Sequence, residues 1–265
     1  MDRDRTSVLT LLAAADGSAG LPRLGGMARA DGVVIASERF WAFAARDGSV
    51  REGSMPSPPR ALRHVPLLRG LVRLWSALAP LFRGAGVAGR AERLMLLVAL
   101  LSPLSLIFLP EWASLPLGIG TAVVLLAWLL RGRTLFLHGA EHRAIAAAEE
   151  RRLVATWAGE AKPSRFAPRC GTNFAALVVP VSVVFDRLWP LPAALYTPFA
   201  VTLLSLALSM ELWQLVQASS SRFARLFLLP GLALQRLTTR EPSVDETRLA
   251  LTAVGSVLRR ELDRA

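Results

Sequence analysis

The segments LFLHGAEHRAIAAAEE, residues 135–150, and APRCGTNF, residues 167–174, delimit the stretch around which this chain is organised. Two of the three histidines and the only cysteine lie in this stretch. It separates two apolar blocks, residues 94–130 and 174–210, each 37 residues long. The stretch therefore carries most of the residues that can support chemistry, and the blocks on either side of it decide the class of fold.

The first segment has the spacing of an incomplete metal site. In a helix, His138 and His142 lie one turn apart on the same face, and Glu149 falls on that face too. Glu141 lies about 60° to the side, where a carboxylate can orient a ligating imidazole or act as a general base. Together with the thiolate of Cys170, these side chains are transition-metal ligands. The pattern predicts a site for a divalent transition metal, with zinc as the candidate.

A purely structural role explains the same residues. His138 and His142 can be interfacial side chains, and Glu149 can belong to the charged run at the end of the helix. A bare His-x-x-x-His is a weak signal, since it requires only one helical turn. Glu149 also lies about 10 Å along the axis from His142, so one ion reaches both only if the helix breaks. We therefore rank Glu149 below Glu141 and expect a ligand from another segment.

The composition is that of a polytopic membrane protein. Hydrophobic residues make up 53% of the 265 residues and the mean hydropathy is +0.42, which is too apolar for an ordinary soluble domain. The net charge is +11, and 30 of the 31 basic residues are Arg. These arginines flank apolar blocks instead of alternating with aromatic residues, so we expect membrane lipids as partners and no nucleic acid. A single cysteine excludes an internal disulfide.

The two apolar blocks predict two transmembrane hairpins, residues 94–130 and 174–213. Charged or turn-forming residues interrupt each block once, at Pro110–Pro116 and at Asp186–Pro192. A bilayer core of about 30 Å requires about 20 residues per crossing, so four short spans fit. Lys and Arg concentrate outside the blocks, and the positive-inside rule then places both termini in the cytoplasm. The prediction is a multi-pass protein of the cytoplasmic membrane.

The remaining segments complete a mainly α-helical organisation. Residues 1–23 predict a flexible tail, because their apolar run is short and acidic residues cancel the charge that a signal peptide needs. Residues 24–59 predict a small cytoplasmic β-meander, since aromatic and β-branched runs alternate with Gly-Gly and Asp-Gly turns. Residues 60–93 predict amphipathic helices, which either lie along the membrane surface or pack as ordinary helices, since amphipathicity alone does not separate the two. Residues 131–173 form the cytoplasmic segment that bears the motifs.

The C-terminal segment, residues 214–265, predicts two parts. Phe223–Leu237 is apolar but too short and too interrupted by Pro230-Gly231 for a further crossing, so it is interfacial or re-entrant. Ser243-Val244-Asp245-Glu246 has the sequence of a capping box, which predicts the start of a final cytoplasmic helix.

Several short motifs occur in order along the chain. They are Gly25-Gly26, Asp31-Gly32-Val33, Leu68-Arg69-Gly70, His138-Gly139-Ala140-Glu141-His142, Pro168-Arg169-Cys170-Gly171-Thr172-Asn173-Phe174 and Pro230-Gly231-Leu232, followed by Gln235 and Leu237-Thr238-Thr239-Arg240-Glu241-Pro242. With these motifs, the chain resembles the YqhQ-like family of bacterial membrane proteins. The resemblance covers residues 24–258 and implies a protein of the bacterial inner membrane, in a family catalogued as a domain of unknown function. Its members are described as predicted metal-dependent enzymes, a description that names neither substrate nor metal.

Two positions depart from that family. Asp31 stands where the family usually has Glu, and the shorter carboxylate remains a candidate metal ligand. Ala167 stands where the family usually has His. The family's other candidate site residues match, and they are His138, Glu141, His142, Glu149, Arg169 and Cys170.

The function expected from these features is metal-dependent hydrolysis at the cytoplasmic membrane face. No Gly-x-Ser-x-Gly, phosphate-binding loop, His-Glu-x-x-His or Cys-x-x-Cys motif competes. Glu141 is the expected catalytic base, and Arg69, Arg169 and Arg240 are the expected contacts for an anionic head group. The alternative is a non-enzymatic membrane scaffold or assembly factor, in which Arg-Cys-Gly-Thr caps a span. A transporter ranks third, because the spans lack buried charge.

Overall fold

Most of the motif-bearing segment and most of the two apolar blocks belong to different compact units. The computed structural model describes residues 2–57, 60–82, 87–95, 97–98, 109–191, 194, 196–219 and 221–264. They form two compact units. Unit 1 comprises Met1–Ser57, Leu130–Cys170 and Leu232–Ala265, whereas unit 2 comprises Pro58–Leu129 and Gly171–Gly231.

Helices predominate, with one small sheet near the N-terminus. The strands are β1 (Gly25–Ala28), β2 (Gly32–Ala36), β3 (Phe40–Ala45) and β4 (Val50–Ser54). The helices are α1 (Asp2–Asp16), α2 (Leu68–Phe82), α3 (Glu111–Leu129), α4 (Thr134–Glu149), α5 (Leu153–Ala158), α6 (Gly171–Arg187), α7 (Thr197–Ala218), α8 (Arg222–Leu226), α9 (Leu229–Thr238) and α10 (Val244–Leu262). Arg60–Arg63 forms a short 3-10 helix, and residues 90–95 are helical as well.

The sheet of unit 1 is an antiparallel meander with strand order β1-β2-β3-β4. Val34 pairs with Phe43, and Phe43 pairs in turn with Arg51. The β3–β4 hairpin turns at Asp47-Gly48, where Gly48 has φ +87°, a left-handed conformation that glycine adopts without steric cost. The β-meander predicted from the alternating runs is confirmed, including its Asp-Gly turn.

Two helices cover one face of this sheet and close the core of unit 1. Alternate residues of β2 and β3, among them Val33, Ile35 and Ala42, are fully buried. They pack against α10 and α4, whose small and branched residues fill the layer between them. The predicted capping box of α10 is present, because Ser243 accepts from the Glu246 N–H at 3.2 Å and its own N–H donates to Glu246 Oε2 at 2.8 Å. The helix therefore starts where the sequence predicts.

The N-terminal segment differs from its prediction as a flexible tail. Asp2–Asp16 forms helix α1, with Leu12 and Ala15 fully buried in the core of unit 1. The Asp16 carboxylate accepts hydrogen bonds from the Leu153 and Val154 N–H groups at 3.0 Å, at the start of α5. A helix of this length is marginal alone in water. Packing of its apolar face provides the stability that local sequence does not reveal.

Unit 2 contains helices of the apolar blocks together with α2. Helix α7 packs against both α6 and α2. Gly70 on α2 lies so close to α7 that a Cβ there would be 2.8 Å from the Ala207 carbonyl oxygen. In the same helix pair, Arg69 binds Glu211 through two nitrogens, at 2.7 and 2.6 Å. Close backbone approach and this ion pair together join α2 to α7.

The four predicted spans differ in how far the structure supports them. Within the described residues, α7 is the one helix long and apolar enough to cross a membrane by length and composition. Helix α6 has 17 residues, and the second predicted span contains a shorter apolar helix, Pro116–Trp128. Most of the first predicted span, residues 96 and 99–108, lies outside the described residues. One candidate span is thus present, and the arrangement of four spans stays a prediction.

Candidate metal centre

Helix α4 brings the two histidines of the central motif together. His138 and His142 are one turn apart, with ring centroids separated by 4.4 Å and planes inclined at 63°. The helix is buried on nearly all sides, and His142 is only 1% exposed. A helix with this Ala-rich composition and little polar surface is expected inside a core. Both imidazoles are therefore held in a protein interior, where polar nitrogen atoms need partners.

Backbone carbonyls fix the tautomer of each imidazole. His138 Nδ1 donates to the Thr238 carbonyl oxygen at 2.9 Å, and His142 Nδ1 donates to the Arg165 carbonyl oxygen at 2.6 Å. A carbonyl oxygen can only accept, so the proton of each neutral ring resides on Nδ1 and Nε2 keeps its lone pair. Metal-ligating histidines are oriented by the same kind of bond.

Cys170 supplies the third ligand atom from the far end of the central stretch. Its Sγ lies 3.2 Å from His138 Nε2, and the three potential ligand atoms of His138, His142 and Cys170 lie within 4.8 Å of one another. His142 Nε2 is fully buried and has no hydrogen-bond partner within the described residues. The expected approach of another segment to the histidines is thus present, and it is made by the cysteine.

The segment that carries Cys170 is fastened to helix α9. The Gln235 side chain, which is completely buried, accepts from the Ala167 N–H at 2.9 Å and donates to the Ala167 carbonyl at 2.8 Å. Next to His138 on helix α4, Gly139 lies against the Arg240 carbonyl so closely that a Cβ there would overlap with it. These contacts hold the Cys170 segment to α9 and α4 to the chain that follows α9.

Glu141 lies in the same region as a buried acid. Burial raises the pKa of its carboxyl to about 7, although attraction to His138 and a hydrogen bond from the Ala28 backbone oppose the shift. The side chain lines a small cavity of about 60 Å³ together with His142 and Cys170. A carboxyl with such a pKa can accept or release a proton near neutral pH.

The other two predicted metal ligands, Asp31 and Glu149, are outside the group of close ligand atoms. Asp31 accepts from Arg29 at 3.0 Å at the β1–β2 turn, and its side chain is 58% exposed. Glu149 forms an ion pair with Arg169. The ranking of Glu149 below Glu141 stays a prediction, because neither of these two carboxylates is in that group and both residues line the small cavity.

The three predicted anion-binding arginines have separate surroundings. Arg69 is bound to Glu211 in unit 2. Arg240 donates to the Arg236 carbonyl at 3.1 Å and is exposed. Arg169 lines the small cavity, and burial followed by repulsion from Arg23 lowers its pKa. Among the three, Arg169 is the one that lines the small cavity with His142 and Cys170.

Sequence reasoning missed several contributors to the site. The Thr238 and Arg165 carbonyls belong to the backbone, and no side-chain pattern marks a backbone acceptor. Gln235 was part of a family motif, but its two bonds to Ala167 depend on the tertiary fold. A single Gln within an apolar run is the sequence signal for such a pair of hydrogen bonds, because a polar side chain that becomes buried needs partners.

Comparison with known proteins identifies a family and no activity. A family model described as a protein of unknown function (DUF1385) matches residues 122–260, just over half of the chain, including His138, His142 and Cys170. This match is consistent with the resemblance to the uncharacterised YqhQ-like family. No curated protein and no solved structure matches the chain. The chain therefore belongs to the DUF1385 family, whose function is unknown.

Proposed function

We propose that this chain is a multi-pass membrane protein with a metal-dependent hydrolytic centre at His138, His142 and Cys170. The observation that carries the proposal is the buried His142 Nε2, which has no partner in the described part of the chain. The potential ligand atoms of His138, His142 and Cys170 all lie within 4.8 Å of one another. A buried polar atom without a partner is unfavourable, and a bound cation is the partner that all three atoms can share.

The ligand set fits zinc in a catalytic site. Two imidazoles and one thiolate are zinc ligands, and catalytic zinc sites use three protein ligands and keep one position for water or substrate. When bound, zinc supplies Lewis-acid chemistry and lowers the pKa of a coordinated water. Glu141 lines the cavity shared by His142 and Cys170, and we assign to it the role of general base. The carbonyls of Thr238 and Arg165 hold the imidazoles in the orientation that ligation requires.

The membrane part of the proposal has separate support. Helix α7 meets the length and composition of a span. Helices α3 and α6 expose bulky apolar side chains, among them Val124 at 60% and Val179 at 66%, which soluble monomers rarely do over large patches. The Lys and Arg asymmetry of the sequence then orients four spans with both termini and the metal centre on the cytoplasmic side. Lipid is the environment that suits these exposed faces.

Zinc content tests the metal centre. The full chain, purified in detergent and dialysed against excess zinc, should retain about one zinc per chain by elemental analysis. His138→Ala and Cys170→Ser should each lower that content severalfold, because each removes a ligand. His64→Ala is the matched control, since His64 is exposed and belongs to unit 2. Unchanged zinc content in the ligand variants would overturn the proposed centre.

Activity tests the hydrolytic role. The zinc-loaded protein should hydrolyse a generic activated ester, p-nitrophenyl acetate or p-nitrophenyl phosphate, and lose that activity on chelation. Glu141→Gln should retain zinc and lose at least 100-fold in rate, as expected for a general base. A Glu141→Gln protein as active as the wild type would remove Glu141 from the chemistry.

The non-enzymatic alternative is favoured by one set of contacts. Gly70, Gly139 and Gly231 all belong to family motifs, and each lies where a Cβ would clash with a neighbouring segment. Such positions serve packing, so part of the motif set is structural whatever the function. A folded wild type that binds no zinc when saturated with it would favour a scaffold or assembly factor.

A further inference from the structure

A second, larger cavity of unit 1 adjoins the metal centre. Its volume is about 360 Å³, and its lining includes Arg23, Arg151, Arg169 and Glu149. Three arginines against one glutamate leave a net charge of +2 on its walls. Leu24, Glu149 and Arg169 line this cavity and the small cavity of the metal centre alike. The two cavities are therefore neighbours that share a wall.

The backbone holds Arg151 at this cavity in an uncommon conformation. Arg151 follows the end of α4 with φ +56°, in the left-handed region that residues other than glycine rarely adopt. Its Nη1 donates to the Ala15 carbonyl oxygen and to Ser18 Oγ, both at 2.9 Å. The guanidinium is thus fixed by the end of α1 before any ligand arrives. Such a conformation persists where surrounding contacts enforce it, and it is often found at functional sites.

The other two arginines, Arg23 and Arg169, line the same cavity. Arg169 is paired with Glu149, whereas Arg23 is exposed. Like charges at one cavity repel each other, and an anion bound between them reduces that repulsion. A planar guanidinium can bind two oxygen atoms of such an anion at once.

We propose that this arginine cavity, formed by Arg23, Arg151 and Arg169, binds the phosphate group of the substrate. A phosphate dianion matches the net charge of the walls, and its oxygens suit several guanidinium groups. The small cavity, at about 60 Å³, admits only a small group. A phosphate in the arginine cavity would let a neighbouring part of the same molecule reach His142 and Cys170. This substrate class rests on the proposed hydrolytic function, but the anion site itself does not.

Phosphate binding to metal-free protein tests the arginine cavity. Full-length protein in detergent, treated with chelator and kept at fixed low salt, is titrated with inorganic phosphate by calorimetry. Wild type should bind, and Arg23→Gln and Arg151→Gln should each bind at least tenfold more weakly. Arg46→Gln is the control, because Arg46 is exposed at the end of β3. Arg23→Gln keeps the test decisive if Arg151→Gln disturbs α1, since Arg23 makes no such bonds.

The outcomes separate this inference from the proposed centre. Equal affinity of Arg23→Gln and wild type would overturn the arginine cavity, as would phosphate binding that disappears with chelation. A protein that binds phosphate but no zinc would keep the anion site and overturn the metal centre. Competition with short-chain phosphatidic acid and with glycerol 3-phosphate distinguishes the two sources of phosphate. Tighter binding of the lipid assigns the site to a head group, and tighter binding of glycerol 3-phosphate assigns it to a soluble ester.

Discussion

The Glu141 side chain can lie at the small cavity because the adjacent residue Gly26 has no side chain. A Cβ on Gly26 would lie 2.8 Å from Glu141 Oε1 and 2.8 Å from the Val34 carbonyl oxygen, whereas a Cβ on Gly25 would meet nothing within 4 Å. The Gly-Gly motif thus contains one glycine that packing requires and one that it does not. The requirement is steric, since neither glycine has a positive φ.

We expect Gly26→Ala to displace Glu141 and to destabilise unit 1. Overpacking of this kind costs about 1–3 kcal/mol, because the Val34 carbonyl belongs to a paired strand and cannot move freely. The thermal unfolding midpoint of the detergent-solubilised chain measures the effect, with Gly25→Ala as the matched control. Equal midpoints for the two variants would contradict the close approach of Glu141.

The buried Glu141 carboxyl should make the stability of the metal-free protein depend on pH. Its folded-state pKa of about 7 exceeds the ordinary value of 4.5, so the folded chain binds more protons between these values. The contribution of Glu141 to the free energy of unfolding is therefore most favourable below about pH 4.5 and is lost as pH rises through about 7, a change on the order of 3 kcal/mol. Charging the carboxylate in a protein interior is the physical cause.

Glu141→Gln should remove that dependence. Chelated wild type and variant are compared by thermal unfolding between about pH 5 and pH 8.5. The wild-type midpoint should fall with rising pH more steeply than that of the variant, which carries no titrating group at this position. Parallel curves for the two proteins would show that Glu141 does not titrate in this range.

At the scale of elements, helix α9 positions the segment that carries Cys170. Gln235 bonds the Ala167 backbone twice, and Thr238 near the end of the same helix accepts from His138. One helix therefore orients a thiol segment and an imidazole together. The cluster depends on this helix as much as on its own ligands.

Gln235→Ala should weaken zinc binding without removing a ligand. Loss of both bonds to Ala167 frees the segment before Cys170, and outer partners of this kind are typically worth about 10–100-fold in metal affinity. Competition with a zinc chelator of known affinity measures the change. Gln214→Ala on α7 is the control. Equal zinc affinities for the two variants would show that the Gln235 hydrogen bonds to Ala167 do not orient Cys170.

Elements with strong local signals were predictable from the sequence. The meander followed from its turns, such as Asp47-Gly48, and α10 followed from the capping box at Ser243. Helix α1 was not predictable, because only tertiary burial of Leu12 distinguishes it from a loose tail. Local signals report on the chain near a residue, and burial depends on segments far away in sequence.

The candidate site divides in the same way. His138 and His142 were predictable as a pair because they share one helix. The approach of Cys170 was expected because the segment between the two apolar blocks must leave and return to the same membrane face. Arg23 and Arg151 were not predictable, since nothing separates them from the other 28 arginines of the chain. Their role emerges only from a cavity that brings distant segments together.

At the scale of the whole molecule, orientation in the membrane decides which compartment the proposed centre serves. Basic residues concentrate outside the apolar blocks, which predicts cytoplasmic termini. The turn between α6 and α7 carries one balanced Arg and is predicted to face outward. Ala19 and Leu188 are exposed positions on the two predicted sides, with Leu188 73% exposed. Single cysteines at these positions report on the two sides independently.

Ala19→Cys and Leu188→Cys, each in a Cys170→Ser chain, should react with a membrane-impermeant maleimide from opposite sides. Intact cells should label Leu188→Cys, and inside-out vesicles should label Ala19→Cys, because the reagent cannot cross the bilayer. The Cys170→Ser chain without a new cysteine is the control for background. Labelling of Ala19→Cys in intact cells would reverse the orientation and move the metal centre to the outer side. Labelling of both positions from the same side would remove the odd number of crossings between them, and with it the four-span arrangement.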